Sequence, residues 1–177
     1  MPELSEKDLV DLVRSVFPGY PEDRALGILV DIPREPAKDN GDWRARRAMA
    51  QEWYGLLRAG ASAVPLDQVR LIAYPDVGSN NADLPAEGFL VAGAMPETAA
   101  ELEPCGERTS FESVFASTQL YLAPTEYSTT APLKVAARRF GFRAATMPGF
   151  AAAMVPALRI DYGEVARRVD ALKARLD

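Results

Sequence analysis

The chain has 177 residues, of which 48% are hydrophobic and 25% are charged, a composition that is typical of one globular domain and excludes a disordered polypeptide. Its net charge of −5 disfavours nucleic acid as a partner, because binding to phosphate backbones depends on clustered Lys and Arg. The chain contains no histidine, which excludes Ser-His-Asp and Cys-His catalysis and leaves only carboxylates and one cysteine as possible zinc ligands.

The first half of the chain predicts a helix, a buried strand and a second helix. Ser5 and Asp8 resemble a capping box, and apolar residues follow them at helical spacing. The apolar run 25–32 does not alternate with polar residues, which favours a strand covered on both faces, as in a parallel sheet. After a polar loop, Asn40 or Asp42 can cap a helix that Gly60 closes.

This second helix carries large aromatic residues and a basic cluster. Trp43, Trp53 and Tyr54 are expected in the core, with docking on another domain as the alternative. The basic cluster, Arg44 with the pair at 46–47, is interpreted as the solvent-exposed side of the helix, with an anion-binding patch as the alternative.

The second half continues the alternation of strands and helices. The expected strands are 69–74, 88–92, 119–123 and 142–146, and the expected helices are 110–116, 130–140 and a final helix with an apolar face at Val165, Val169, Leu172 and Leu176. Residues 95–108 are expected to be irregular or partly helical. This order predicts a single α/β domain over 1–177, a three-layer sandwich with about five mostly parallel strands and helices on both faces.

Ligands of open parallel sheets bind beyond the carboxyl ends of the strands. The polar residues expected at those ends are Asp31, Asp76, Glu126, Ser128, Thr130 and Thr146. Together they could hold a polar ligand or a hydrated cation. The alternative is that the two aspartates begin turns and that a hydroxyl near residue 129 caps the next helix.

Other features predict a cytoplasmic protein without a nucleotide loop. The segment 1–11 is polar and acidic where a signal peptide would be basic and then apolar, and no apolar run is long enough to span a bilayer. The lone Cys105 cannot form an internal disulfide. Neither GxGxxG nor GxxxxGK[ST] occurs.

The last third of the chain carries a specific series of residues. In chain order they are Ser128 and Thr130; Gly141, Arg143, Ala145, Thr146, Met147, Pro148 and Gly149; Met154; and Asp161-Tyr162. This series resembles the N-terminal domain of the aminopeptidase T-like family of metallopeptidases, whose members carry a Ser-x-Thr stretch entering a helix, then Gly-x-Arg-x-Ala-Thr-Met-Pro-Gly, then Met and an Asp-Tyr pair. The match covers about forty residues, whereas the first 120 residues show only a compatible α/β pattern.

The resemblance implies a noncatalytic role. In that family the metal ligands, two Glu and an Asp with His, lie in a C-terminal half that follows this type of segment, so a divalent metal is expected only there and none in these 177 residues. The N-terminal domain of the family shapes the substrate cleft and helps to hold the oligomer. The expected partner is therefore a catalytic domain or a further copy of the chain. The alternative is a stand-alone module that binds a small ligand or a protein at the strand ends.

Overall fold

A computed structural model describes residues 4–17, 19–61, 64, 66–159 and 162–176. Its helices are α1 (Glu6–Val16), α2 (Gly41–Ala59), α3 (Leu102–Cys105), α4 (Phe111–Ala116), α5 (Thr130–Phe140), α6 (Val155–Leu158) and α7 (Tyr162–Leu176). Its strands are β1 (Ala25–Ile32), β2 (Gln68–Pro75), β3 (Glu87–Val91), β4 (Gly106–Ser110), β5 (Leu120–Ala123) and β6 (Arg143–Thr146).

The six strands form one mixed sheet in the order β4-β3-β2-β1-β5-β6. The pairs β1-β2, β1-β5 and β5-β6 are parallel, whereas β2-β3 and β3-β4 are antiparallel. The predicted α/β class and mostly parallel sheet are confirmed. Residues 95–108 were expected to be irregular or partly helical; this holds up to α3 but is wrong for the last three, because β4 begins at Gly106 and pairs with β3 along five residues.

Both faces of the sheet are covered, as the apolar run of β1 predicts. Leu26, Ile28 and Val30 pack on one side with residues of α1 and α2, while Leu29 packs on the other with residues of α4 and α5. All eight residues of β1 are buried. Gly27 lies where a Cβ would come within 2.7 Å of the Tyr121 ring, so the neighbouring strand leaves no room for a side chain. The strand is therefore held at the centre of a three-layer core.

The helix ends follow the predicted signals closely. Ser5 and Asp8 form a complete capping box at α1, and the Asn40 side chain accepts a hydrogen bond from the Trp43 N–H at the start of α2. Gly141 ends α5 with φ +79°, a conformation that favours glycine. These caps fix where each helix begins or ends relative to the sheet.

Candidate functional site

The carboxyl ends of four parallel strands, β1, β2, β5 and β6, meet at one edge of the sheet, which we call the strand-end edge. It is formed by residues 31–34, 76–81, 124–131 and 146–150. The Asp76 N–H donates to the Ile32 carbonyl at 2.8 Å, the Met147 N–H donates to Ala123 at 2.9 Å, and the Gly149 N–H donates to Thr125 at 2.8 Å. These backbone bonds join the loops into one unit.

Asp31 is fully buried at the end of β1 and accepts three hydrogen bonds. Its Oδ1 accepts from the Glu126 N–H at 2.8 Å and from the Trp43 indole N–H at 3.2 Å, and its Oδ2 accepts from the Tyr127 N–H at 3.0 Å. Burial raises the pKa of Asp31 to about 6, although the two backbone N–H groups oppose this rise. The carboxylate therefore anchors the loop after β5 to the end of β1.

Asp76 is also buried, and it holds the loop after β2. Its Oδ1 accepts from the Gly78 N–H at 2.9 Å, closing a turn, and its Oδ2 accepts from the Arg34 N–H at 2.7 Å. The Arg34 guanidinium donates to the Asp76 carbonyl at 2.6 Å. Asp76 thus begins a turn, as one of the two sequence interpretations states.

Tyr74, the residue two positions before Asp76, is fully buried with a hydroxyl that has no hydrogen-bond partner among the described residues. Burial raises the pKa of Tyr74 well above its ordinary value, and the charges of Asp31 and Asp76 raise it further. The Thr129 hydroxyl is likewise buried, and it too has no partner in the described part of the chain. Thr129 of the strand-end edge and Tyr74 in the adjoining core therefore each have a buried hydroxyl without a partner among the described residues.

The loops after β2 and β5 are tied together by Asn81, which has φ 62°. Its Oδ1 accepts from the Ala131 N–H at 3.0 Å and from the Ser128 hydroxyl at 3.1 Å, and its N–H donates to the Ser128 carbonyl at 2.7 Å. A distant side chain thus satisfies a free N–H at the first turn of α5. The sequence interpretation assigned capping to Ser128, Thr129 or Thr130, and the Ser128 hydroxyl does accept from the Thr130 N–H at 3.3 Å, while Asn81 serves the next N–H.

The hydroxyls of Ser128, Thr130 and Thr146 form a hydrogen-bonded chain. The Ser128 and Thr130 oxygens are 3.1 Å apart, and those of Thr130 and Thr146 are 2.9 Å apart. Thr130 is exposed, and the other two are half-buried. This chain brings the two stretches that carry the family resemblance into direct contact.

The basic cluster of α2 corrects one expectation. Arg46 and Arg47, interpreted as solvent-facing, are each only 3% exposed. Arg46 forms an ion pair with Glu126 and donates to the Phe150 carbonyl at 2.8 Å. Arg47 forms a two-pronged pair with Asp39. Each buried guanidinium is therefore paired with a carboxylate or carbonyl oxygen, and such pairing offsets the cost of removing a charge from water.

Of the six predicted site residues, five form two contact groups and one stands apart. Asp31 meets Glu126 through its backbone N–H, and Ser128, Thr130 and Thr146 share hydroxyl contacts. Asp76 uses both carboxylate oxygens on its own turn and on the loop after β1. Sequence reasoning missed Asn81, whose only local signal is its place in a loop rich in turn-forming residues.

Within the described residues, no group of three or more His, Cys, Asp or Glu side chains is arranged to hold a metal ion. The carboxylates of Asp31 and Asp76 accept hydrogen bonds from N–H groups of the loops that they hold in place. Across the same residues, no helix combines the length and the apolar character needed to cross a membrane.

Comparisons with protein-family models, curated proteins and solved structures find no match to this chain.

Proposed function

We propose that this chain is a noncatalytic domain of an aminopeptidase T-like metallohydrolase, in which the strand-end edge forms one wall of a substrate cleft. The proposal combines the residue resemblance with one observation. The two separate stretches that carry the resemblance meet through the Thr130–Thr146 contact at 2.9 Å. Three of the residues that resemble the family, Ser128, Thr130 and Thr146, therefore form one hydrogen-bonded group at the strand-end edge.

The internal contacts of this edge support a wall rather than a catalytic centre. The carboxylates of Asp31 and Asp76 are turned onto backbone N–H groups, and Glu126 is paired with Arg46. Groups committed in this way stiffen a surface. The hydroxyls at 128, 130 and 146 remain close to solvent and could donate to or accept from a peptide backbone.

Hydrolysis of leucine-p-nitroanilide by the purified chain, with added zinc, cobalt or manganese, tests the noncatalytic part of the proposal. We expect no saturable turnover, because the reactive groups are assigned to another domain. Metal-dependent turnover that follows the protein through successive purification steps would refute it.

A second candidate function, a stand-alone small-ligand module at the same edge, is favoured by the hydroxyls of Ser128, Thr130 and Thr146, which form one hydrogen-bonded group and are at least partly exposed. Thermal-shift measurements with amino acids, dipeptides and nucleotides separate the two. A ligand present at 100 times its Kd stabilises a protein by about 2.7 kcal/mol. For a domain of this size that gain raises the Tm by about 5–11 °C. A cleft wall lacking its other half should show no such rise.

A further inference from the structure

Helix α7 presents an apolar stripe that no other described element covers. Val165, Val169 and Leu172 are 41%, 57% and 59% exposed. Their spacing of four and three residues places them on one side of the helix. Every described side chain from 163 to 175 is exposed except half-buried Glu164. A helix of 15 residues is only marginally stable in water without packing, so this face calls for a covering surface.

The same chain contains an apolar groove of about 430 Å³ between α2 and residues 150–155. Its lining includes the larger apolar residues Met49, Trp53, Phe150 and Val155. The small side chains of Ala45, Ala48 and the alanines at 151–153 also line it. Small side chains on the walls allow a helix to approach closely. The groove adjoins the strand-end edge, and Arg46 and Phe150 contribute to both.

The charges around the stripe and the groove are complementary. Arg168 and Lys173 flank the stripe on its two sides by helical position, with Arg175 beyond Arg168. Arg168 also pairs with Glu164 of the same helix at 2.8 Å, so Lys173 and Arg175 are the cations of this face that form no ion pair within the described structure. Asp42 and Glu52, both exposed, lie at the groove. Neither of these two carboxylates forms an ion pair with any residue that the structure describes. The apolar stripe has basic residues beside it, and the apolar groove has acidic residues beside it. The two surfaces are therefore complementary in polarity and in charge.

Two other arrangements fit less well. Pairing α7 with α7 of a second copy in parallel would bring the cations at 168, 173 and 175 of both helices together, and in either direction it would leave the groove and its carboxylates uncovered. Within its own chain, α7 does not occupy the groove, because no described residue of α7 lines it. Only three residues connect α6 to α7, and short connections favour exchange between copies.

We propose that two copies of the chain exchange α7, so that each helix seats its stripe in the groove of the other copy. The contact is reciprocal and closes with twofold symmetry, so it stops at a dimer. It uses no catalytic group and none of the hydroxyls at 128, 130 and 146 to which the cleft proposal assigns peptide contacts. Its success or failure is therefore independent of the proposed cleft function.

Sedimentation equilibrium of the full chain measures the mass directly. We expect a dimer at twice the 19.2 kDa of the chain, and weaker association at higher salt. The double variant V169E/L172E should raise the dissociation constant at least ~100-fold, because it would bury unpaired carboxylates in the groove. The control variant A174E lies on the opposite side of α7 and should leave the mass unchanged. A monomer at every concentration, or a dimer that survives V169E/L172E, would overturn the proposal.

A charge-exchange experiment identifies the surfaces in contact. The groove variant D42K/E52K and the helix variant R168E/K173E should each be monomeric, because each sets like charges against each other within its own dimer. Mixed together, they should form a heterodimer, since opposite charges then meet at both contacts. Failure of the mixture to associate, while the wild-type chain dimerises, would show that α7 does not occupy this groove.

Discussion

The Asp31→Asn variant should remove a pH dependence of stability that the wild-type chain shows between pH 5 and pH 7. The folded state holds the Asp31 pKa at about 6, whereas the ordinary value of an aspartate is 3.8. A group whose pKa is raised by folding contributes stability that is fully present below the unfolded value and is lost as the pH rises through the folded value. The wild-type protein should therefore become more stable as the pH falls from 7 to 5.

The size of this effect follows from the two pKa values. Integrating the proton-binding difference for 3.8 and about 6 gives a gain of about 1.3 kcal/mol between pH 7 and pH 5. With a urea m-value of about 2 kcal/mol/M, the unfolding midpoint should rise by about 0.6 M. Because the chain has no histidine, this window is free of the residue that usually titrates there.

Urea unfolding followed by circular dichroism at several pH values between 5 and 7 measures the effect. Asp31→Asn cannot titrate, so its midpoint should change much less across this range. Asp83→Asn is the matched control, since Asp83 is exposed and lies in the loop after β2, and it should keep the wild-type slope. A wild-type midpoint that stays flat or falls toward pH 5, or an equal slope in Asp31→Asn, would refute the assignment of the raised pKa to burial of Asp31.

Three further variants test the packing of the sheet and its strand-end edge by urea unfolding. Tyr74→Phe removes a buried hydroxyl that has no partner in the described structure, so it should raise the free energy of unfolding by about 1 kcal/mol; a clear loss would reveal a bound water or ligand. Gly27→Ala forces a Cβ against the Tyr121 ring and should cost about 1–3 kcal/mol, and a neutral result would mean that the strands can shift. Asn81→Ala removes the acceptor for the Ser128 hydroxyl and places a Cβ-bearing residue without a polar side chain at a positive φ, so it should lower the free energy of unfolding by about 2 kcal/mol. Asn81→Gly should recover the part of this loss that is due to backbone strain.

The architecture was largely predictable because its central strand carries a strong local signal. The run at 25–32 is apolar except for Asp31, and such a pattern favours a strand covered on both faces. Strand β4 gave no such signal. It is an edge strand whose Glu107 and Arg108 are exposed, and its strand character comes from pairing with β3, a contact that local sequence does not encode.

The candidate site was predictable in position but not in its detailed contacts. Parallel topology brings the ends of β1, β2, β5 and β6 to one edge, so Asp31 and Thr146 were correctly expected there. The hydrogen-bond partner of each polar group depends on contacts between residues that are far apart in the sequence. Asn81 reaches Ala131 fifty residues away, and Arg46 reaches Phe150 at a separation of 104. The three arginines at 44, 46 and 47 suggest a solvent-facing side of α2. The distant oxygens that pair with Arg46 are not visible in the local sequence.

The most direct test of the cleft-wall proposal is chemical-shift mapping of the ¹⁵N-labelled chain titrated with the dipeptide leucyl-glycine at millimolar concentration. We predict perturbations confined to the amides of residues 126–130 and 146–149, with weak affinity and no hydrolysis of the peptide. Thr130→Val, which keeps the shape of the side chain and removes its hydroxyl, should reduce these perturbations. Perturbations centred elsewhere on the fold, or an edge that does not respond to the peptide, would contradict the proposal that this edge forms a wall of a peptide cleft.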